Sequence, residues 1–385
     1  MTDLIVVGLG AAGSATLRAA AVRGASVVGI DRHHPPHEHG SSHGLTRITR
    51  QAIGEGLDYA PLALRSHEIW RELEAETGES LLRQIGLMLI SRPRLGGVHH
   101  GAKDFLERTL EAAETFAIAH EVFDAAAVRA RWPQFSLADD EAAFFEPGAG
   151  LLHPERCIAA QLQAARKAGA AIHAGESVLG LEIAPGGGVR VVTDQRALEA
   201  GRVIVCAGAW TGGLLGGWWA KQLRIYRQAM HWFAPPDSAA FAGDRFPAFI
   251  WMHGAGPSEW FYGLPDEGQG VKIADERFIV TAATPEGIDR AVSRAEALAC
   301  HAAHAQGRIA GLPPTWLRSS ACLYTQAPGS RFLIGPDPER PEVLVVSACS
   351  GHGFKHAPAI GEAVAAWALS GTRPKILAPF APDAA

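Results

Sequence analysis

Residues 4–31 constrain the fold more than any other stretch of the chain. Leu4-Ile5-Val6-Val7 is an apolar run of strand length, and Gly8-Leu9-Gly10-Ala11-Ala12-Gly13 follows it directly. Residues 14–22 are Ala-rich and predict a helix, and residues 26–30 predict a second strand that ends at Asp31. Each part has a physical use. Gly8 permits the tight turn, Gly10 lets backbone approach a pyrophosphate, and Gly13 lets helix and strand pack closely. The helix N-terminus offers unpaired N–H groups and the positive end of its dipole to phosphates. Asp31 stands 18 residues after Gly13, near the roughly 20-residue spacing of a carboxylate that holds a ribose hydroxyl. The motif predicts a dinucleotide, and at this point NAD and FAD are both open.

A chain of 385 residues is long for one hydrophobic core, so two domains are expected. The formal charge of −5 and the lack of a long basic run give no footing for nucleic acid. The sequence starts on a core strand without a signal-like leader. No apolar stretch approaches the roughly 20 residues of a membrane helix. The expectation is a cytoplasmic protein with neither membrane nor nucleic-acid partners. Cys157, Cys206, Cys300, Cys322 and Cys349 are widely spaced and contain no CxxC pair, which argues against a disulfide framework or a zinc site. Four histidines lie within residues 33–39. Pro35-Pro36 breaks any helical ligand spacing there, and no cysteine or acidic cluster joins them. A polar loop laid over a cofactor is the preferred reading, and no metal is expected.

Downstream, apolar spacing predicts helices over 59–77 and 101–120, a strand over 85–90, and a strand and turn over 144–152. A helix over 154–167 starts with proline in its first turn. From residue 178 the pattern changes to strands. Residues 178–183 and 189–193 flank Pro185-Gly186-Gly187-Gly188 as a hairpin, and a buried strand from 203 ends in the small residues Ala207-Gly208-Ala209 before Trp210. Such a meander within a βαβ frame suggests the glutathione-reductase type of FAD domain. Short aromatic-rich strands over 224–283 predict an antiparallel sheet in a second domain. Lys272 lies in one of these apolar strands. It either snorkels to water or serves a site. Arg47 and Arg50 are three residues apart, which on a helical turn puts both on one face. After a helix over 291–307, a buried strand over 343–347 runs into Ser350-Gly351-His352-Gly353-Phe354-Lys355-His356 and a helix over 358–369. Strand, glycine loop with a cation, then helix is again architecture for an anion or a ring.

Taken together, these stretches resemble the FAD-dependent amine oxidases of the monomeric sarcosine oxidase and N-methyltryptophan oxidase family. The resemblance is carried by residues 8–13, Pro35-Pro36-His37 with Gly40-Ser41-Ser42-His43-Gly44, Thr46-Arg47-Ile48-Thr49-Arg50 and Tyr59-Ala60-Pro61-Leu62-Ala63-Leu64-Arg65-Ser66. It continues through Arg131-Trp132-Pro133, Phe145-Glu146-Pro147, Tyr226-Arg227-Gln228, Cys322-Leu323-Tyr324-Thr325 and residues 350–355. It implies an α/β fold of two domains, a glutathione-reductase-type FAD-binding Rossmann domain with an inserted antiparallel-sheet substrate domain. The implied boundaries are 1–82, 145–216 and 316–385 for the FAD-binding domain, and 83–144 and 217–315 for the substrate domain.

The resemblance also implies roles. Cys322 matches the cysteine that carries FAD through a thioether. Arg47 and Lys272 match cations beside the flavin ring, with Lys272 expected to help oxygen react; His43 is counted with them as catalytic. Arg50 and Lys355 match the pair that clamps the substrate carboxylate, and Tyr262 and Tyr324 line the substrate cavity. The FAD contacts implied are Gly8, Gly10, Ala11, Ala12, Gly13, Asp31, Arg32, Ser41, Ser42, His43, Thr46, Arg47, Val178, Ala207, Gly208, Trp210, Cys322, Gly351, His352, Gly353, Phe354 and Lys355. After Lys272 the chain departs from the family: Glu276 stands where sarcosine oxidases carry a histidine facing the substrate. It either faces the pocket or points to solvent.

The implied reaction uses these residue types sensibly. Glycine-loop amides and a helix N-terminus stabilise negative charge on a reduced flavin. Two cations on a carboxylate hold the substrate's N–CH bond toward the ring, which is positional catalysis. The expected function is oxidation of a secondary or N-methylated amino acid by O2, yielding an imine that hydrolyses and hydrogen peroxide, by a monomer. The alternatives are a dehydrogenase that passes electrons to a carrier, and a flavin-binding protein without turnover.

Overall fold

In the computed structural model, which describes residues 2–93, 95, 98–100 and 102–382, the N-terminal motif forms the middle of a sheet. Thr2–Val7 pairs in parallel with Val27–Asp31 on one side and Ala197–Val205 on the other, and Ala171–Ala174 extends the edge beyond Val27–Asp31. Leu4, Ile5 and Val6 are buried without alternation, as expected of a parallel strand covered on both faces. Ala197–Val205 is shared. Its first half pairs antiparallel with Val189–Thr193, which returns to Val178–Ile183, and its second half pairs in parallel with Arg340–Ser347. The predicted hairpin and meander are therefore present.

Helices Ala11–Val22, Pro154–Lys167 and Ala357–Ser370 cover one face of this sheet and share its core with Leu4, Val6, Ile204 and Leu344. The first and last of them touch backbone to backbone. A Cβ on Gly361 would come within 2.6 Å of the Ala15 carbonyl carbon, so glycine alone permits that approach. The opposite face is closed by the hairpin and by residues 215–223, with Trp219 fully buried among Val7, Val203 and Val345.

A second large sheet runs in the order 281–282, 224–233, 271–274, 260–264, 248–252, 87–91, 142–146, 121–124, with Trp316–Gln326 on the other side of 224–233. Its core is aromatic, including Phe135, Phe246, Phe249, Trp251 and Phe261. The sheet is mixed, because Ala248–Met252 pairs in parallel with Leu87–Ser91. Trp316–Gln326 pairs with Arg224–Phe233 from end to end, so the expected boundary at 316 falls on a strand of this sheet.

Other differences are local. The helix expected over 101–120 spans Phe105–Thr115, and residue 101 lies outside the described residues. The helix expected over 291–307 is Arg294–Cys300 followed by one wider turn to residue 305. Arg47 begins a strand, Arg47–Thr49, hydrogen-bonded to Gly150–Leu152, and not a helical turn. Among the described residues no helix is long and apolar enough to cross a membrane.

Candidate active site

The two glycine loops end at one place. Gly8 has φ +86°, and a Cβ there would meet the Cys206 carbonyl oxygen at 2.6 Å and the Ala207 Cα at 2.9 Å. A Cβ on Gly13 would fall 1.7 Å from the Gly8 oxygen. The helix Ala11–Val22 thus starts hard against the sheet, with Gly10 as its N-cap and no side chain capping it, leaving its first N–H groups open. Asp31 braces this turn. Its carboxylate accepts from the Leu9 N–H (2.7 Å) and the His33 N–H (2.8 Å). Burial pushes Asp31 up, but these donors and His37 outweigh it and hold its pKa below the usual value. At the other end, a Cβ on Gly353 would overlap the Ala348 oxygen at 1.6 Å.

Between the loops lies a cavity. Of the predicted residues it is lined by Ala11, Ala12, Ser41, Ser42, Gly351, His352, Gly353 and Phe354. Arg47, Arg50, Tyr262, Glu276, Tyr324 and Lys355 line it as well. The others are not among its lining residues. Lys272 is buried beneath the loop, its Nζ donating to the Thr46 oxygen (2.5 Å) and the Gly44 oxygen (3.2 Å). Burial, reinforced by Arg47, pushes its pKa well below the usual lysine value. Cys322 packs with Met230, Trp232, Ala274 and Tyr324 just behind the cavity wall; burial lifts its thiol to about 11 against the pull of Arg47. Val178, Ala207 and Gly208 lie toward the hairpin, where Val178 and Ala207 pack on the Ile5–Ile30 core. Arg32 and Trp210 face outward together: the guanidinium lies 5.2 Å from the indole ring centre, and both donate to Glu286.

Several groups at the site have no counterpart in the sequence reading. Glu155 accepts from the N–H groups of Gly44 and Leu45 (2.7 and 3.1 Å) and so fixes the loop. Glu146, fully buried, accepts from Gln51 and Ala52 N–H (2.9 and 3.0 Å) and fixes the chain just after Arg50. Glu55 is the largest omission. It takes both oxygens to Arg50 Nη2 (2.9 and 2.6 Å), and its Oε1 also meets His100 Nδ1 at 3.1 Å. His100 Nε2 in turn reaches both Glu276 oxygens (3.1 and 3.0 Å). Glu276 therefore faces the pocket and not solvent. Burial disfavours an imidazolium at His100, but the two carboxylates overcome it and lift the ring to about 9. An acid between two glycines (Gly54-Glu55-Gly56) and a His99-His100 pair were the available signals, and neither has a periodicity that announces a site.

The buried groups left without partners define what could be held here. Both ring nitrogens of His43 and the Nε of Arg50 are buried and unpartnered among the described residues. Burial, then Arg47, push His43 down to about 3, so it is a neutral ring able to donate once and accept once. Lys355 gives one Nζ bond to the His352 oxygen at 2.8 Å and keeps two donors. Burial pushes it down to about 7, partly restored by Glu55. An uncapped helix start, glycine turns that a Cβ would fill and orphaned ring donors fit a dinucleotide flavin, and the free donors of Arg50 and Lys355 fit a carboxylate beside it.

Comparison with known proteins agrees with this geometry. The family model described as FAD dependent oxidoreductase (DAO) matches residues 3–367. The chain is 38% identical to a monomeric sarcosine oxidase of Streptomyces avermitilis over 375 residues, 96% of this chain and 94% of that protein. It is 32% identical to an N-methyl-L-tryptophan oxidase of Yersinia pestis over 382 residues, 98% of each. Among solved structures it resembles NikD, an unusual amino acid oxidase essential for nikkomycin biosynthesis (TM-score 0.82, 23% identity, 99% and 97% covered). It also resembles an L-proline dehydrogenase from P. horikoshii (TM-score 0.79, 21% identity, 97% and 95% covered). At those identities the structural likenesses speak for the fold.

Proposed function

The chain belongs to the DAO family of FAD-dependent oxidoreductases, and on that premise we propose that it oxidises a secondary or N-methylated amino acid with O2 as electron acceptor. The observation that carries this reading is the convergence of two buried cationic donors, Arg50 Nε and Lys355 Nζ, on a cavity that opens between two glycine turns. A flavin held here would supply a hydride acceptor for the substrate's N–CH bond and a route for the electrons to oxygen; the imine product would be hydrolysed by water. The protein's part is placement. Arg50 and Lys355 hold the carboxylate, and the walls of Tyr262 and Tyr324 fix the tilt of the substrate. Arg47, whose guanidinium is spent on the Ser41 and Thr46 carbonyls (2.9 Å each), is a fixed positive charge at the ring. The residues 8–13 and Asp31 hold the ADP half, with Val178, Ala207, Gly208, Trp210 and Arg32 on its flank, and the 41–46 loop runs on toward the ring.

Cys322 carries the flavin as a thioether in this reading, and Lys272 assists oxygen. The relatives named as monomeric sarcosine oxidase support a single-chain enzyme, with sheet membership supporting the expected two-domain division apart from the strand at 316–326. One observation favours the dehydrogenase reading: Lys272 Nζ is tied to two carbonyls and is not among the described residues that line the cavity.

The decisive experiment mixes the oxygen-free holoenzyme with a panel of N-methyl and cyclic amino acids. Bleaching of the flavin, followed by rapid recovery in air with one peroxide per turnover, is the expected result. A flavin that no member bleaches rejects the amine reading, and one that bleaches but recovers only with a dye establishes the dehydrogenase. Acid precipitation tests the attachment: a yellow pellet is expected from the wild type and a colourless one from Cys322→Ala, with colour released from both if the flavin is not covalent.

A further inference from the structure

Glu276 is a buried carboxylate with too few donors. Its side chain is 3% exposed and it lines the cavity. A carboxylate has about four lone-pair positions to fill. Among the described residues its one hydrogen-bond partner is His100 Nε2, a single N–H shared between the two oxygens. Leaving acceptors of a buried charge unfilled is costly, and such groups are normally paired completely. Because Glu276 is buried and lines the cavity, the cavity is the side from which a further donor can reach it. The preceding residue, Asp275, is engaged elsewhere, with His304 at 3.1 Å and Arg277 at 2.5 Å.

The surroundings specify what that donor should be. Trp260 and Tyr262, two residues apart on one strand and so on one face, stand with ring centres 6.5 Å apart and planes 28° from parallel, and both line the cavity with Tyr324. Aromatic faces beside a carboxylate favour a cation that is partly desolvated. Glu276 is not part of the Arg50–Glu55 pair: the His100 ring stands between the two carboxylates, with Nδ1 on Glu55 and Nε2 on Glu276. Its charge also reaches Lys355, though less strongly than that of Glu55. A substrate clamped by its carboxylate at Arg50 and Lys355 therefore has its far end free to meet Glu276.

We propose that the substrate is a basic N-alkyl amino acid, whose side-chain ammonium or guanidinium is received by Glu276 between the rings of Trp260, Tyr262 and Tyr324. This inference rests on the amino-acid oxidase reading of the same site. In it the side-chain cation fills the carboxylate positions that His100 leaves open, and Glu276 is a specificity-determining residue that takes no part in the oxidation.

The test compares two substrates of nearly equal length, Nα-methyl-L-lysine and N-methyl-L-norleucine, by anaerobic flavin reduction of the holoenzyme. The wild type should prefer the lysine derivative by about tenfold or more in the ratio of reduction rate to Kd, the worth of one charge-assisted contact. Glu276→Gln should bring that ratio close to one, and Glu276→Asp, which keeps the charge, should preserve part of it. Retention of the flavin spectrum in each variant separates misfolding from loss of selectivity. A wild type that does not discriminate, or a preference equal in wild type and Glu276→Gln, overturns the inference while bleaching by both compounds leaves the oxidase reading intact. Failure of both compounds and the wider panel to bleach the wild type overturns the two together.

Discussion

Lys355 must be charged to hold a carboxylate, yet its site taxes the charge. Burial pushes its pKa down to about 7, with Glu55 pulling back. The sign follows directly. Below pH 7 the free enzyme presents an ammonium and binds a carboxylate fully; as pH rises through 7 the proton leaves and affinity falls, by up to about tenfold per pH unit. An unreactive carboxylate such as methylthioacetate, titrated by its perturbation of the flavin spectrum from pH 6 to 9, should show this slope, and Lys355→Met should flatten it. A wild-type profile that is level across pH 7 contradicts the assignment. Arg50 makes a second residue-scale prediction. Its side chain is 2% exposed and bound to an equally buried Glu55, so Glu55→Ala strands a buried guanidinium. That should cost about 3–5 kcal/mol in urea denaturation, whereas an effect under 1 kcal/mol would mean the pair is dispensable. The sequence made Arg50 and Lys355 conspicuous because each stands in a motif of its own. It could not show Glu55 or His100, because a buried ion pair is a property of where two distant loops end. Residue type alone reads the same in a solvated turn.

Elements were most legible where burial is periodic, and least where one turn serves a site. The helices at 60–77, 154–167 and 357–370 and the hairpin at 178–193 fall within a residue or two of their expected limits, since each has a long apolar face or a glycine turn to mark it. Arg47 and Arg50 were harder. The three-residue strand Arg47–Thr49 is held by Gly150–Leu152, a pairing across a hundred residues that overrides local preference. Strand geometry sends side chains three apart to opposite faces; here the chain turns after Thr49, guided by Glu146, and both cations reach the cavity. His100 is the comparable case among short strands. With φ +46° it follows Val98–His99 and precedes Ala102–Lys103, and its ring ties that pair to Glu55 and Glu276. Its pKa is raised, so the tie is complete below the unfolded value near 6.5 and is lost as pH climbs through about 9. The Tm difference between wild type and His100→Asn should therefore be largest near pH 6 and shrink steadily toward pH 9.5. A difference that grows with pH would reverse the charge assigned to this ring.

At the scale of the whole molecule, the chain's two ends make one structure. The opening strand and the strand Arg340–Ser347 flank Ala197–Val205, and the helices that follow them pack side by side, with Gly361 against Ala15. Both helices begin at the cavity, one at Ala11 and one at Ala357. The sequence displayed the two strand–glycine–helix units separately, and only their shared chemistry hinted that they meet. Nothing local could show that Gly361 returns to the backbone of Ala15, 346 positions earlier in the chain, because close packing depends on a missing side chain and leaves no pattern. The second sheet is bound to this frame by Arg290, which donates to the Glu38 and His39 carbonyls of the cofactor loop, and by Glu286, which receives Arg32 and Trp210. Cofactor grip should therefore answer to packing far from the ring. Gly361→Val inserts a branched side chain where the Ala15 and Thr16 backbone already stands within 2.6 Å of its Cβ. Overpacking of this kind costs about 1–3 kcal/mol, and here the helices can separate only by moving a start point that faces the cavity. The expected result is a lower Tm together with a changed flavin absorption envelope and slower anaerobic reduction. An equal loss of Tm from Leu377→Ala, which lies in the same core but starts no helix at the cavity, should leave the envelope as it was. If both variants alter it alike, stability and not helix placement governs the site.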